Sequence, residues 1–449
     1  MSARENKMGS MPIPKLLFTI AFPIIISMTI QALYNIVDSI FVAKISEEAL
    51  TAVSLVFPIQ SLMISLAVGT GVAINALISR FLGQKEFALC SKIAKNGIFL
   101  SLLNFVIFAI IGVLFSKLFF SMQTDNQLIV TYGNQYMSIV TVCSIGMFTM
   151  VTFERFLQAT GQTILSMATQ GVGAIVNIIL DPILIFGLFG FPRLEVVGAA
   201  VATVVGQICG ALVGFYLVRK HINQFSMSLR NFKPDLKSIK TIYQIGFPAI
   251  LMQSVGSIMV FSLNSVLLMF STTATAVFGI YYKLQSFVYM PIFGISNGFL
   301  SITAYNFGAR HKERIVSLHK LAISVVLIMM LLGTSMFMLM TNPMLSLFEA
   351  SDEMLLIGHS ALQIISISFA FAGFSIIASS LFQALGKAHY SLILSLSRQL
   401  LIVVPLAFIL AKTTGLNGVW YSIVIAEIIS FFVSIVLLMQ VYSKVINKL

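Results

Sequence analysis

Asn35-Ile36-Val37-Asp38-Ser39-Ile40-Phe41-Val42 closes an apolar run that begins near Ile13 and ends near Ala43. As a helix rising about 1.5 Å per residue, that run is long enough to cross the roughly 30 Å hydrocarbon core of a bilayer. Asp38 therefore sits where lipid penalises it, by about 2.5–3.5 kcal/mol at a helix centre and less near an interface. Asp181 repeats the anomaly in the fifth apolar segment, within Asn177-Ile178-Ile179-Leu180-Asp181-Pro182. Carboxylates kept at such a cost face the inside of a helix bundle and handle protons, ions or charged substrates.

The rest of the chain agrees with that reading. It is 58% hydrophobic and 9% charged, against about 25% charged in a soluble domain, so its polar residues cannot cover a water-facing surface. Twelve apolar segments can be drawn, over roughly 13–43, 50–79, 91–120, 128–150, 164–189, 196–218, 240–269, 274–301, 315–341, 354–380, 390–411 and 416–441. Each is too long for a barrel strand and lacks strand alternation, so the fold class is an all-α polytopic membrane protein. The first segment exceeds a signal-peptide core, and no cleavable signal is expected. Cys90, Cys143 and Cys209 have neither metal nor disulfide-framework spacing and read as packing residues. His221, His311, His319, His359 and His389 form no ligand cluster, and no phosphate-binding loop or nucleophile elbow is present. Neither an enzyme nor a bound cofactor is expected.

The net charge of +12 would suit a nucleic-acid partner, but its distribution argues otherwise. With the N-terminus inside, only Lys44, Lys117, Arg193 and Lys412 fall at outer ends, and Lys283 falls within the membrane. The other Lys and Arg residues, Arg4, Arg80, Arg155, Arg230 and Arg398 among them, read as inner. This asymmetry places both termini in the cytoplasm and sets the basic charge against anionic lipid.

The chain also repeats itself. Phe22-Pro23 recurs as Phe247-Pro248, Gln60-Ser61 as Gln285-Ser286, Gly69 as Gly294, and Gly83 as Gly308. Gln158-Ala159 and Gly161 recur as Gln383-Ala384 and Gly386, and every pair is offset by 225 residues. Six matches, nine residues in all, in one register imply two six-helix halves of like orientation. The expected organisation is an N-terminal lobe over 1–219, a basic linker over 220–238 and a C-terminal lobe over 239–449. Parallel halves of this kind point to a transporter with a central cavity and alternating access.

Gln31, Asn35 and Asp38 project from one face of the first helix, and Asn177 and Asp181 lie one turn apart on the fifth. Two carboxylates and two amides at similar depth offer oxygens to a hard cation such as Na⁺. They could equally hold a proton, because low dielectric and a like-charged neighbour both penalise the ionised form. A plainer reading, side chains that hydrogen-bond across the bundle, stays open. Pro23 is the candidate hinge, since a bend there would alter packing around Asp38. Lys283 and Glu427 fall at similar depth in the second half and are expected to pair, structurally or as part of coupling. Tyr34, Tyr281, Tyr282 and Tyr289 could present ring faces to organic cations.

At these residues the chain resembles the MATE family of multidrug and toxic compound extrusion transporters, and the likeness spans nearly its whole length. It rests on Gln31-Ala32-Leu33-Tyr34-Asn35-Ile36-Val37-Asp38, Phe57-Pro58-Ile59-Gln60, Gly83 after Arg80, Gln158-Ala159-Thr160-Gly161, and Asn177 with Asp181-Pro182. The resemblance is to the bacterial DinF-type side, MepA-like branch. It implies a cation site at Asp38, Asn177 and Asp181, with Ala199 and Thr203 on the sixth helix. NorM-type members carry acids in helices 7 and 10; here helix 7 has none, and helix 10 has only Asp352 and Glu353 at its edge. The implied function is antiport of H⁺ or Na⁺ against amphipathic, mostly cationic drugs, by a monomer in a bacterial inner membrane. Gln31, Tyr34, Tyr281, Lys283 and Glu427 are candidate cavity residues. A lipid-linked precursor flippase of the same superfamily is the alternative, although Lys283 alone is thin support for binding phosphate. A major-facilitator transporter would need a different signature from Gly83-Gln84-Lys85-Glu86-Phe87-Ala88 after the second helix.

Overall fold

The computed structural model describes residues 6–230, 232–348 and 351–449, so Arg4 lies outside the described residues. Among them there is no strand. Ten helices are long and apolar enough to cross a membrane, and two bent pairs bring the number to twelve. They are α1 (Ile13–Ala43), α2 (Glu47–Gly83), α3 (Phe87–Ser121), α4 (Gln127–Val142 and Ile145–Ala159), α5 (Thr163–Phe186) and α6 (Glu195–His221), followed by α7 (Leu236–Leu267), α8 (Thr272–Gly308), α9 (Lys312–Leu339), α10 (Asp352–Ser366 and Phe369–Ala384), α11 (Ala388–Thr414) and α12 (Leu416–Lys444). The halves of α4 meet at 45° and those of α10 at 46°.

The duplication read from the sequence is visible element by element. α2 and α8 begin and end 225 residues apart. Both are capped by serine: Ser46 Oγ accepts from the Ala49 amide at 3.1 Å and Ser271 Oγ from the Ala274 amide at 3.0 Å, satisfying a donor that the first turn leaves free. Gly161 and Gly386 close the turns after α4 and α10 at φ of +79° and +75°, where a side chain would be strained.

The chain divides into two compact units. One, here the N-terminal unit, is Ile26–Gly246; the other, the C-terminal unit, joins the chain up to Ile25 with Phe247–Leu449. The division falls inside α1 and α7, not at the 220–238 linker that the sequence favoured. Packing explains this. A Cβ on Gly298 of α8 would lie 3.2 Å from the Ala21 Cα of α1, so early α1 belongs with α8. A Cβ on Gly246 of α7 would lie 3.3 Å from the Gly69 carbonyl oxygen, so the start of α7 belongs with α2. The linker itself is docked on α3: the Ser226 amide donates to Ser91 Oγ and the Asp235 amide to Asn96 Oδ1, both at 3.0 Å.

Lipid supplies little hydrophobic drive between helices, so close packing depends on small residues. α5 and α6 show this most clearly. A Cβ on Gly206 would approach the Gly173 carbonyl oxygen to 2.6 Å, and one on Gly198 would approach the Leu184 carbonyl oxygen to 2.6 Å. In the C-terminal unit the interior is aromatic. Trp420 stacks on Phe278 at 6.3 Å, Phe278 meets Tyr282 edge-on at 5.6 Å, and Phe337 meets Phe369 at 5.1 Å.

Three sequence expectations are corrected. Segment 4 does not end near residue 150, because α4 runs on to Ala159 and carries Arg155 inside the fold, 8% exposed. Arg398 is likewise no inner-end residue; it lies mid-α11, in a π-helical stretch, Ser397–Ile402. Glu427 pairs with this Arg398, at 3.4 Å, and not with Lys283. Lys283 is exposed, with its ammonium 6.0 Å from the centre of the Phe348 ring.

Candidate functional site: a carboxylate-lined cavity in the N-terminal unit

A cavity of about 380 Å³ lies within the N-terminal unit. α1 brings Gln31, Tyr34, Asn35 and Asp38 to its wall, as their spacing on one helical face requires. α2 adds Gln60 and α6 adds Thr203 and Gln207. The second half of α4 adds Glu154 and Arg155. A smaller adjoining hollow is lined by Tyr34, Gln170, Asn177, Thr203 and Gln207.

The polar groups form a chain across α5 and α6. Asn177 Nδ2 donates to Asp181 Oδ1 at 3.3 Å and reaches Thr203 Oγ1 at 3.5 Å. Asp181 is fully buried. Asp38 Oδ1, Asn177 Oδ1, Asp181 Oδ2, Glu154 Oε1 and Gln207 Oε1 are all buried acceptors without a hydrogen-bond partner. A buried acceptor left unsatisfied costs about 1–3 kcal/mol, more when charged. Five in one neighbourhood are the mark of a site built for something positive. The donor set is all oxygen, which suits a hard monovalent cation or a proton. Among the described residues no group of three His, Cys, Asp or Glu residues is placed to hold a metal ion.

The structure brings together most of the residues chosen from the sequence. Gln31, Tyr34, Asn35, Asp38 and Thr203 line the main cavity, and Asn177 ties Thr203 to Asp181. Ala199 instead packs in an apolar cluster with Val42, Val56 and Ile185. Tyr281, Lys283 and Glu427 belong to the other unit. Tyr281 is 2% exposed, its ring covered by Phe278, Tyr282 and Phe337, so it offers no face to a ligand. Pro23 lies inside a continuous α1, two residues before the unit boundary at Ile25.

Sequence reasoning misses Glu154 and Arg155. An adjacent charged pair reads as the end of a membrane segment, yet both side chains are inside. Arg155 donates to Gln158 Oε1 at 2.8 Å, and Gln158 Nε2 to Ser166 Oγ at 3.1 Å. A signal is available in the repeat: their partners at offset 225 are Ser379 and Ser380, within an unbroken apolar segment.

A duplicated, twelve-span helical fold with a carboxylate-lined cavity inside one repeat is the architecture of a secondary transporter. The chain belongs to the MatE family, whose profile matches twice, over residues 23–183 and 248–409, one match to each repeat. It is a transporter-family protein and not an enzyme. Two curated relatives are the multidrug export protein MepA of Staphylococcus haemolyticus, 26% identical over 432 residues, and the probable multidrug resistance protein YoeA of Bacillus subtilis, 27% identical over 432 residues. The first alignment covers 96% of this chain and 94% of the relative; the second covers 95% and 92%. Among solved structures, the outward-facing conformation of a multidrug resistance MATE family transporter of the MOP superfamily superposes with a TM-score of 0.91, at 28% identity over 100% of both chains.

Proposed function

We propose that this protein is a multidrug efflux antiporter. It exports amphipathic, mostly cationic organic compounds in exchange for H⁺ or Na⁺, as a monomer in a bacterial inner membrane with both termini in the cytoplasm. One observation carries the reading. Asp38 and Glu154, which line one cavity, and Asp181, tied by Asn177 to the adjoining hollow, each leave a buried carboxylate oxygen unpartnered, and the cavity lining includes Arg155 as its sole cationic side chain among the described residues. That excess of negative charge favours a bound cation.

The roles divide by position. Asp38, Asn177, Asp181 and Thr203 form the coupling site, with Asn35 beside it and Ala199 shaping its apolar back. Glu154 faces the wider cavity, where an organic cation fits among Tyr34, Tyr136 and Met150. An ion on the aspartates and a drug cation near Glu154 compete for the same negative field, which is the condition for exchange. Pro23 removes a backbone hydrogen bond from α1 close to where that helix passes from one unit to the other, and so supplies the hinge. The names of the MepA and YoeA relatives support drug export. A flippase for lipid-linked precursors would need several cationic groups for phosphate, and Arg155 alone does not supply them.

The deciding experiment is ethidium efflux from energised vesicles with pH and Na⁺ gradients imposed separately. Efflux driven by one gradient and abolished by its collapse is expected. Gradient-independent ethidium movement, or loss of lipid-linked sugar export in a deletion strain, would overturn the proposal.

A further inference from the structure

The cavity of the N-terminal unit holds one feature that cation binding leaves unexplained, a guanidinium among carboxylates. Arg155 is 8% exposed and supplies the only cationic side chain of the lining among the described residues. It stays charged at any pH a cell provides. Its NH1 donates to Gln158 Oε1 at 2.8 Å, and Gln158 Nε2 donates to Ser166 Oγ at 3.1 Å. An amide fixes the guanidinium in place without neutralising it. Glu154 and Arg155 are consecutive on α4 and both line the cavity, so their opposite charges stay close together whatever else it contains.

The repeat shows that the fold itself does not require an arginine there. The offset of 225 holds through this region: α2 and α8 share it at both ends, and Gln158 and Gly161 match Gln383 and Gly386. Arg155 then corresponds to Ser380, and Gly71 of α2 to Ser296 of α8. In the C-terminal unit the Ser296 and Ser380 hydroxyls bond each other. In the N-terminal unit Gly71 makes room for the arginine: a Cβ on Gly71 would lie 2.9 Å from Arg155 Cγ and 3.2 Å from its Nε. A compact serine contact in one copy is replaced in the other by a glycine that admits a buried cation. Burying a cation is costly, and packing does not demand it here, so its use lies in the cavity.

We infer that Arg155 makes ion and drug occupancy of this cavity mutually exclusive, cancelling the charge of Glu154 so that a drug cation is held only while Asp38 and Asp181 carry no ion. The titratable groups facing the cavity are Tyr34 and Asp38 from α1, and Tyr136, Glu154 and Arg155 from α4. Asp181 of α5 joins them through Asn177, and the lining residues from α2, α5 and α6 carry no charge. With a cation on each aspartate, Glu154 and Arg155 balance, and a drug cation meets no net attraction. With the aspartates empty, their charges hold it. Without Arg155, Glu154 would keep its pull in both states, so ion and drug would bind together and exchange would become uncoupled. Antiport needs each ligand to weaken the other, and that coupling is equal in both directions. The inference rests on the antiport reading and adds the residue that enforces it.

Full-length protein in lipid nanodiscs would be titrated with ethidium, followed by fluorescence anisotropy, at stepped Na⁺ concentration and separately at stepped pH. In the wild type the apparent Kd is expected to rise at least about tenfold over about a hundredfold range of the coupling ion, without levelling off. In Arg155→Gln it is expected to level off within about threefold of its value at the lowest ion concentration. Gly71→Ser combined with Arg155→Ser rebuilds a contact that the fold already uses in its other copy, and is expected to fold and to behave like Arg155→Gln. Arg155→Lys keeps the charge and is expected to keep the competition. Competition of wild-type strength in Arg155→Gln and in the double-serine protein would overturn this inference and leave the antiport reading standing. Loss of competition in Arg155→Lys at an unchanged melting temperature would also overturn it, since charge would then not be the cause. Absence of competition in the wild type would overturn both.

Discussion

Gly206→Ala should damage ion coupling without touching an ionisable group. The Cβ it adds would stand 2.6 Å from the Gly173 carbonyl oxygen and 3.1 Å from Asn177 Cβ, where ordinary contact begins near 3.4 Å. Neither obstacle is the flexible end of a long side chain, so α6 must retreat from α5 by about 0.8 Å to relieve the closer contact. The Asn177–Thr203 contact is already 3.5 Å. Opening it to roughly 4.3 Å removes it as a hydrogen bond and frees Asn177 to turn away from Asp181. Overpacking of this kind costs about 1–3 kcal/mol of stability. Losing an orienting partner typically lowers ion affinity about 10–100-fold. Gly171→Ala, on α5 with nothing within 4 Å of its added Cβ, is the control. In proteoliposomes, the cation concentration giving half-maximal ethidium exchange should rise at least tenfold for Gly206→Ala and remain unchanged for Gly171→Ala. A Gly206→Ala protein with wild-type melting temperature and wild-type ion dependence would refute the packing argument.

Other outcomes follow from the same geometry. Glu154→Gln keeps the shape of the cavity wall but removes a carboxylate, so apparent affinity for ethidium should fall about tenfold, as one charge-assisted contact worth roughly 1.4 kcal/mol implies, while the ion dependence of exchange changes little; transport titrations over both ligands check this. For topology, cysteines placed at Ser46 and Ser351 should react with impermeant thiol reagents from outside intact cells, and one at Ser228 only after permeabilisation.

Much of the fold is legible in the sequence because lipid leaves few choices. Twelve long apolar runs admit only helices, and the offset that Phe22-Pro23 and Gly161 share with their partners displays the duplication in the residues themselves. Asp38 and Asp181 stand out for the same reason, since nothing apolar explains them. The misplaced features share a cause. Glu154 and Arg155 lie just past the end of a hydropathy window, where a linear reading assigns them to a loop, and Arg398 lies within one but is counted with the inner basic charge. Their neighbours in space, not in sequence, make them interior: Gln158 for Arg155, and Glu427 for Arg398. Depth alone would pair Lys283 with Glu427, and depth says nothing about which face of a helix a side chain occupies. Composition changes at the basic linker and suggests a unit boundary there. The boundary lies instead within α1 and α7, where small residues such as Gly246 and Gly298 let backbones approach, and composition does not register contacts of that kind.

The central claim is that the unpartnered carboxylates of the N-terminal unit carry the coupling ion. Asp38→Asn preserves size and hydrogen bonding but cannot exchange a proton or hold a cation by charge, and its repeat partner Leu263 offers no substitute. The most direct measurement is ethidium exchange by purified Asp38→Asn protein in proteoliposomes, with a pH or Na⁺ gradient imposed and expression and melting temperature matched to wild type. The expected result is loss of gradient-driven exchange while ethidium binding persists. Wild-type exchange by a well-folded Asp38→Asn protein would contradict the account.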